Sequence, residues 1–189
     1  VGGLSTRMGK DKALLPVGGV PMALLQARKL ERVCGRVAFV GKEPGPLSGS
    51  GFPFVADGTS EQAALFGLLA ALEACSDEAA LVLAADVPRV PEAFLSSLIE
   101  RAESTDAVAL VPTGGGHPQP LCAVWTRRAL PALRRAAAEG KLSLRRAIET
   151  AGALVLSEQE TELLAGFVPG AFRNVNTPEE YGDLEKETA

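Results

Sequence analysis

The chain has 189 residues, enough for one domain with a substantial core. With 47% hydrophobic and 22% charged residues it has the composition of an ordinary globular protein, and its formal net charge of −4 argues against a general nucleic-acid binder, whose surface is usually basic. A local basic pocket for one phosphorylated ligand stays open. The predicted elements follow in chain order. Residues 1–19, VGGLSTRMGKDKALLPVGG, are a glycine-rich basic opening segment. Pro21 to Arg32 reads as a helix, with apolar Met22, Leu24, Leu25 and Leu30 alternating with Gln26, Arg28 and Lys29, and proline suits its first turn. RVAFV (36–40) is a strand, 42–51 a loop, and FPFVA (52–56) a short strand closed by Asp57. Residues 60–75 form a helix with Ser60 as a candidate N-cap. AALVLAA (79–85) is wholly apolar, the pattern of a parallel strand covered on both faces.

Further along, 91–104 is helical, and 106–112 and 120–125 are strands separated by the glycine-rich turn TGGGHPQ. Residues 127–139 and 143–151 are helical, 152–157 and 171–176 are late strands, and 177–187 is a closing helix with Thr177 as N-cap and Pro178 at its first position. Alternating strands and helices predict an α/β fold with a largely parallel sheet and helices on both faces. No repeat, low-complexity tract or linker divides the chain, so residues 1–189 read as a single domain. Cys34, Cys75 and Cys122 are odd in number and lack a C-x-x-C pair, so they read as small buried hydrophobes in a reducing compartment. No signal peptide is visible, and the longest apolar run, Ala79 to Ala85, is far too short to span a bilayer; a cytoplasmic location is the expectation.

Ligands of such sheets sit beyond the carboxyl ends of the strands. In the opening segment, Gly2 and Gly3 remove side chains where the backbone must come close to a ligand. A loop with exposed N–H groups before a helix cradles anions, and Arg7, Lys10 and Lys12 add positive charge, so the segment reads as a polyphosphate site. It is not a P-loop, because five residues separate Gly3 from Gly9 and Asp11 stands where the magnesium-binding hydroxyl belongs; nor does GGLSTRMG match G-x-G-x-x-G. The competing reading is a surface turn with solvated lysines.

GGLSTRMGKDKALLPVGGVPM resembles the signature of the molybdenum cofactor guanylyltransferases, the MobA-like nucleotidyltransferases, whose usual pattern is L-A-G-G-x-S-x-R-M-G-x-D-K. LAADVPRVP (83–91), HPQPLCAVW (117–125) and FRNVNTPEEY (172–181) fit the same family, so the resemblance spans nearly the whole chain. It implies one nucleotidyltransferase domain with a Rossmann-like three-layer sandwich and a mostly parallel sheet, of the nucleotide-diphospho-sugar transferase type. Because the chain opens inside the motif, an apolar strand is expected ahead of Val1. The implied reaction joins GTP and the molybdopterin (molybdenum) cofactor into the guanine dinucleotide form, releasing pyrophosphate with Mg²⁺ as cofactor. The resemblance also implies roles for single residues. Val1, Gly2 and Gly3 would meet the nucleotide, Arg7 and Lys12 would neutralise phosphates, and Asn174 and Asn176 would line the pterin side.

Asp86, directly after an apolar strand, is placed to hold Mg²⁺ against phosphate oxygens and to contact the nucleotide; a turn aspartate before Pro88 is the alternative. Asp57 ends a strand on the same side and matches a nucleotide-site residue, against a role as a turn former before Gly58. Asn174 and Asn176, two apart on a strand, would share a face, or else cap the following helix. His117, in GGGHPQP, reads as part of an irregular loop or a pterin-side contact, not as an acid–base group. Lys141, Arg145 and Arg146 are solvated helix charges or a basic lip for the second anionic substrate. A CTP-using relative, a sugar- or alcohol-phosphate nucleotidyltransferase and a non-catalytic nucleotide-binding module are the rival readings. Transient contact with cofactor-delivering or acceptor proteins completes the expected partners, with no nucleic acid or membrane among them.

Overall fold

The computed structural model describes residues 12–61, 63–175 and 177–188. Gly18 and Gly19 both take positive φ, 57° and 80°, as a two-residue hairpin turn of the primed type requires. They join β1 (Pro16–Val17) to β2 (Val20–Pro21), a hairpin that the apolar pattern did not announce. Pro21 then caps α1 (Met22–Cys34), which starts one residue later than expected and runs two further. Strands β3 (Phe39–Gly41) and β4 (Phe54–Ala56) pair in parallel, and Asp57 follows β4 as expected. Helix α2 (Ala64–Ala74) begins four residues after Ser60, with Ala63 at its N-cap position. The reason is Lys42, whose ammonium donates to the carbonyls of Thr59 (2.8 Å) and Glu61 (2.6 Å) and holds those residues in a loop.

The central layer is built from β5 (Ala79–Leu83), β6 (Ala109–Val111), β9 (Cys122–Thr126) and β10 (Leu154–Val155), in the spatial order β10-β6-β9-β5. Between β6 and β9 a small hairpin, β7 (Thr113–Gly114) and β8 (His117–Pro118), replaces the predicted glycine-rich turn. Strands β6 and β10 pair in parallel; β9 runs antiparallel to both β5 and β6, so β5, β6 and β10 share one direction and β9 is reversed. The apolar run 79–85 was expected to pair as a parallel strand; its neighbour is instead the antiparallel β9. Burial on both faces makes a strand apolar throughout whatever the direction of its neighbour, which is why the pattern could not tell the two apart.

Alternating residues of these strands point to opposite faces. Ala80, Val82, Ala109, Val111, Ala123 and Trp125 meet α2, α4 (Leu130–Ala138) and α5 (Leu144–Ala151). Leu81, Leu83, Leu110, Cys122 and Val124 meet α1 and α3 (Glu92–Glu103). The result is the three-layer α/β sandwich expected. Trp125, fully buried, donates its indole N–H to the Pro120 carbonyl at 3.0 Å, which satisfies its polar atom inside the core. Of the cysteines expected in the core only Cys122 lies there, its thiol pushed up to about 12 by burial; Cys34 is exposed and Cys75 partly so. No helix among the described residues is long and apolar enough to cross a membrane.

After β10 come the five-residue helix α6 (Glu158–Glu162) and the closing helix α7 (Pro178–Thr188). Both carry the reciprocal S/T-x-x-E capping box: Ser157 with Glu160, and Thr177 with Glu180. Residues 171–175 are not a strand. Turn hydrogen bonds from Ala171 to the Val168 carbonyl and from Arg173 to the Gly170 carbonyl (3.1 and 3.0 Å) curl the segment, and Phe172 turns inward onto Phe94, with ring centroids 5.5 Å apart. The shared strand face expected for Asn174 and Asn176 is therefore absent for Asn174, and Asn176 lies outside the described residues.

Gly166 takes φ +77°, and a β-carbon there would stand 2.5 Å from the Phe94 amide nitrogen and 2.6 Å from the Ala93 β-carbon, in the first turn of α3. Neither atom is the end of a flexible side chain. Gly166→Ala is therefore expected to cost about 2 kcal/mol or more and to lower Tm by roughly 5 °C or more. Thermal denaturation followed by circular dichroism checks this; an unchanged Tm would mean that the 164–172 turn moves off α3 at no cost.

Candidate active site

The chain leaves β5 through Ala84 and Ala85 to Asp86 and then turns through Val87, Pro88 and Arg89 to Val90. Val87 and Val90 are buried, which anchors the turn, while Asp86 just ahead of them is only partly buried. This turn directs five main-chain carbonyls inward, and each meets a donor. Gln26 on α1 donates from Nε2 to the Val87 carbonyl at 2.7 Å and, at the limit of hydrogen-bond length, to the Ala84 carbonyl at 3.5 Å. One helical turn later Lys29 donates to the carbonyls of Pro88 (2.9 Å) and Val90 (2.6 Å). The Asp86 carbonyl accepts from the Val175 N–H at 2.9 Å. Burial pulls the Lys29 ammonium down to about 8, with Glu92 acting in the opposite direction. Gln26 is 3% exposed, and among the described residues its Oε1 has no hydrogen-bond partner.

Asp57 closes β4 on the other sheet. Its N–H donates to the Gly41 carbonyl (2.8 Å), and its carboxylate accepts from the Thr59 N–H and the Lys42 ammonium, both at 3.3 Å. Those bonds are the local partners of a turn former. Asp57 and Asp86 line the same cavity, about 1320 Å³, which lies between the β3–β4 pair and β5. Ala13 lines it as well, from the single 3-10 turn Lys12–Leu14 that carries the opening segment onto α1.

Asp86, Asp57 and Ala13 at the exit of the opening segment thus line one cavity, and Val175 reaches the Asp86 main chain. Asn174, exposed, is the chain neighbour of the residue that hydrogen-bonds the Asp86 main chain. Lys12 begins the 3-10 turn. Val1, Gly2, Gly3, Arg7 and Asn176 lie outside the described residues. His117 is exposed on the β7–β8 hairpin, where Gln119 bonds its carbonyl at 3.1 Å, in keeping with a loop role. Lys141 and Arg145 pair with Glu139 and Glu149 near α5, which packs on α2 and α4.

Three residues of the site were not singled out from sequence. Lys42 looked like a loop lysine. Gln26 and Lys29 looked like the solvated side of an amphipathic helix. The available signal was slight: both sit three apart, hence on one helical face, yet a polar face turned toward buried carbonyls and one turned toward water have the same spacing.

The family of the MobA-like NTP transferase domain matches residues 1–157. A probable molybdenum cofactor guanylyltransferase of Chloroflexus aggregans is 34% identical over 95% of this chain and 88% of its own length. One of the same description from Haloferax mediterranei is 32% identical over 93% and 86%. Among solved structures, molybdopterin-guanine dinucleotide biosynthesis protein A of Archaeoglobus fulgidus superimposes with a TM-score of 0.83 at 22% identity, covering 99% of this chain and 95% of that one. The 2-C-methyl-D-erythritol 4-phosphate cytidylyltransferase of Thermus thermophilus shares the fold with a TM-score of 0.67 at 20% identity, over 93% of each chain. With the family pattern running through the opening segment, Asp57, Asp86 and the whole central sheet, the chain belongs to the MobA-like NTP transferase domain family.

Proposed function

We propose that the protein transfers GMP from GTP to the terminal phosphate of the molybdopterin cofactor, giving the guanine dinucleotide form and pyrophosphate. The observation that carries this reading is the placement of Asp57 and Asp86 just after β4 and β5, lining one cavity with Ala13 at the end of the opening segment, in a chain of an NTP transferase family. The description shared by relatives aligned over nearly the whole chain supports the choice of base and acceptor.

The nucleophile is an oxygen of the cofactor's phosphate monoester, whose second pKa of about 6 leaves it anionic at neutral pH. It attacks the α-phosphorus of GTP, and the α–β bridging oxygen departs with pyrophosphate. No general base is required, which suits a chain whose one histidine stands on an exposed hairpin. The difficulty is repulsion between two anions, and the remedy is positioning and electrostatic stabilisation. Backbone groups at Val1, Gly2 and Gly3 meet the nucleotide, Arg7 and Lys12 neutralise phosphate charge, Asp57 bounds the nucleotide side, and Asn174 and Asn176 face the pterin.

A divalent cation fits the residues present. No cluster of three acidic, histidine or cysteine side chains among the described residues forms a protein cage. The partly buried carboxylate of Asp86 suits Mg²⁺, which keeps its waters and takes one or two carboxylates together with substrate phosphates. When bound, Mg²⁺ supplies neutralisation of the phosphate oxygens as charge builds on the leaving group.

Asp86→Asn keeps the shape and loses the charge, so the rate measured against Mg²⁺ concentration should fall sharply and saturate later than in the wild type; superimposable curves would remove Asp86 from the metal site. Lys12→Ala should lower turnover by about 100-fold or more, the usual cost of one contact made in the transition state, and a wild-type kcat/KM for the nucleotide would leave Lys12 a surface lysine. Competition between GTP, CTP and ATP at equal concentration, with mass-spectrometric identification of the product, should give the guanine dinucleotide in excess. The double glycine at Gly2–Gly3 leaves room for a purine, and a site that pairs guanine's N1–H and amino group rejects bases lacking them. A mainly cytosine product would replace the base assignment and keep the reaction class.

A further inference from the structure

Helix α1 carries both halves of the site described above. At its N-terminal end the 3-10 turn Lys12–Leu14 packs on it, and the Met22 N–H donates to the Leu15 carbonyl at 2.9 Å, so the exit of the opening segment is fixed to the helix. One turn further, Gln26 and Lys29 reach across to the 84–90 turn and between them hold four of its carbonyls. These two side chains come from a distant part of the chain, about sixty residues away. Beyond Lys29 the same face pairs Arg32 with Glu92, at the start of α3, but that pair is exposed and contributes little.

The Gln26 amide is telling. A glutamine 3% exposed that leaves its own Oε1 without a donor is a poor way to stabilise a core. An apolar side chain of equal length would avoid the orphaned acceptor. What the glutamine gains is the 2.7 Å bond to Val87, the residue directly after Asp86. Lys29 is similar: a half-desolvated ammonium spent on two main-chain oxygens, with no carboxylate in hydrogen-bond contact.

We propose that Gln26 and Lys29 are positioning residues, which set the place of the Asp86 carboxylate relative to the phosphate-binding opening segment by tying the 84–90 turn to α1. The proposal rests on the role given to Asp86 above. A displacement of about 1 Å of a group that must meet a reacting phosphate can cost on the order of 100-fold in rate. The two residues act on the chemical step through Asp86.

The test compares Gln26→Met, Lys29→Met, Asp86→Asn and, as a control on an exposed helix–helix ion pair, Arg134→Met. Three quantities are read: Tm, steady-state kinetics against GTP and Mg²⁺, and hydrogen exchange of the metal-free, substrate-free protein. Gln26→Met removes the orphaned acceptor but leaves the Val87 carbonyl without its 2.7 Å donor, so the protein should fold with its Tm lowered by roughly 3–8 °C. Its kcat should nevertheless fall roughly 10- to 100-fold with KM for GTP changed less than about 3-fold, and more Mg²⁺ should be needed for half-maximal rate. Exchange at the amides of residues 86–90 should rise about ten-fold or more in both methionine variants, with the interior of α3 unchanged. Arg134→Met should match the wild type throughout. Wild-type exchange at 86–90, or wild-type kcat in folded Gln26→Met and Lys29→Met proteins, overturns the proposal. So does a Gln26→Met protein that fails to fold, since Gln26 is then a stabilising core residue. If Asp86→Asn keeps full activity while exchange at 86–90 still rises in the other two, the tether stands and the reading of Asp86 falls.

Discussion

A buried main-chain carbonyl must find a donor, and the turn that follows β5 turns five of them inward. The rest of the site is arranged around this demand. A turn of this shape cannot satisfy itself, because Pro88 has no N–H and the bond from Val90 to Val87, at 3.4 Å, is long. Donors therefore come from outside: the Gln26 amide, the Lys29 ammonium and the Val175 N–H. Each brings its own element to the edge of the cavity. Gln26 and Lys29 bring α1, and with it the end of the opening segment; Val175 brings the late chain and Asn174. One requirement of hydrogen-bond accounting thus gathers residues from three distant stretches around Asp86.

The late chain reaches that place by packing. Phe172 inserts beside Phe94 and Phe167, with edge-on contacts of 5.5 and 6.1 Å between Phe94 and the other two rings. Gly114 leaves room for the Phe172 ring, since a β-carbon there would lie 2.1 Å from its Cδ2, and Gly166 lets the chain lie flat on the first turn of α3. The β7–β8 hairpin that supplies Gly114 is itself held by α6, where Thr161 accepts from the Thr113 N–H at 3.0 Å and Glu158 from the Gly115 N–H at 2.8 Å. On the opposite sheet Lys42 plays the part that Lys29 plays here, an ammonium gathering loop carbonyls, and Asp57 is drawn into its reach.

Much of this architecture was legible in the sequence because local and global preferences agree there. Strand 79–83 is apolar at every position and packs helices on both faces. Thr177-Pro178 marked the start of α7 to the residue. The elements that escaped are those governed by a competing contact. Ser60 has the chemistry of an N-cap, but Lys42 pulls the following residues into a loop and the helix starts at Ala64. FRNVN has the composition of a strand, but an aromatic cluster outbids the ladder.

By itself the sequence determined the layered α/β class, the alternation of core-facing residues, and the aspartate that follows the apolar strand 79–83. These follow from periodicity and from residue types that act over a few positions. Tertiary structure alone decided that β9 is reversed, because an apolar strand carries no record of its neighbour's direction. It alone decided that Gln26 and Lys29 face the Asp86 turn instead of water, because a hydrogen bond across sixty residues leaves no pattern in the spacing of either partner.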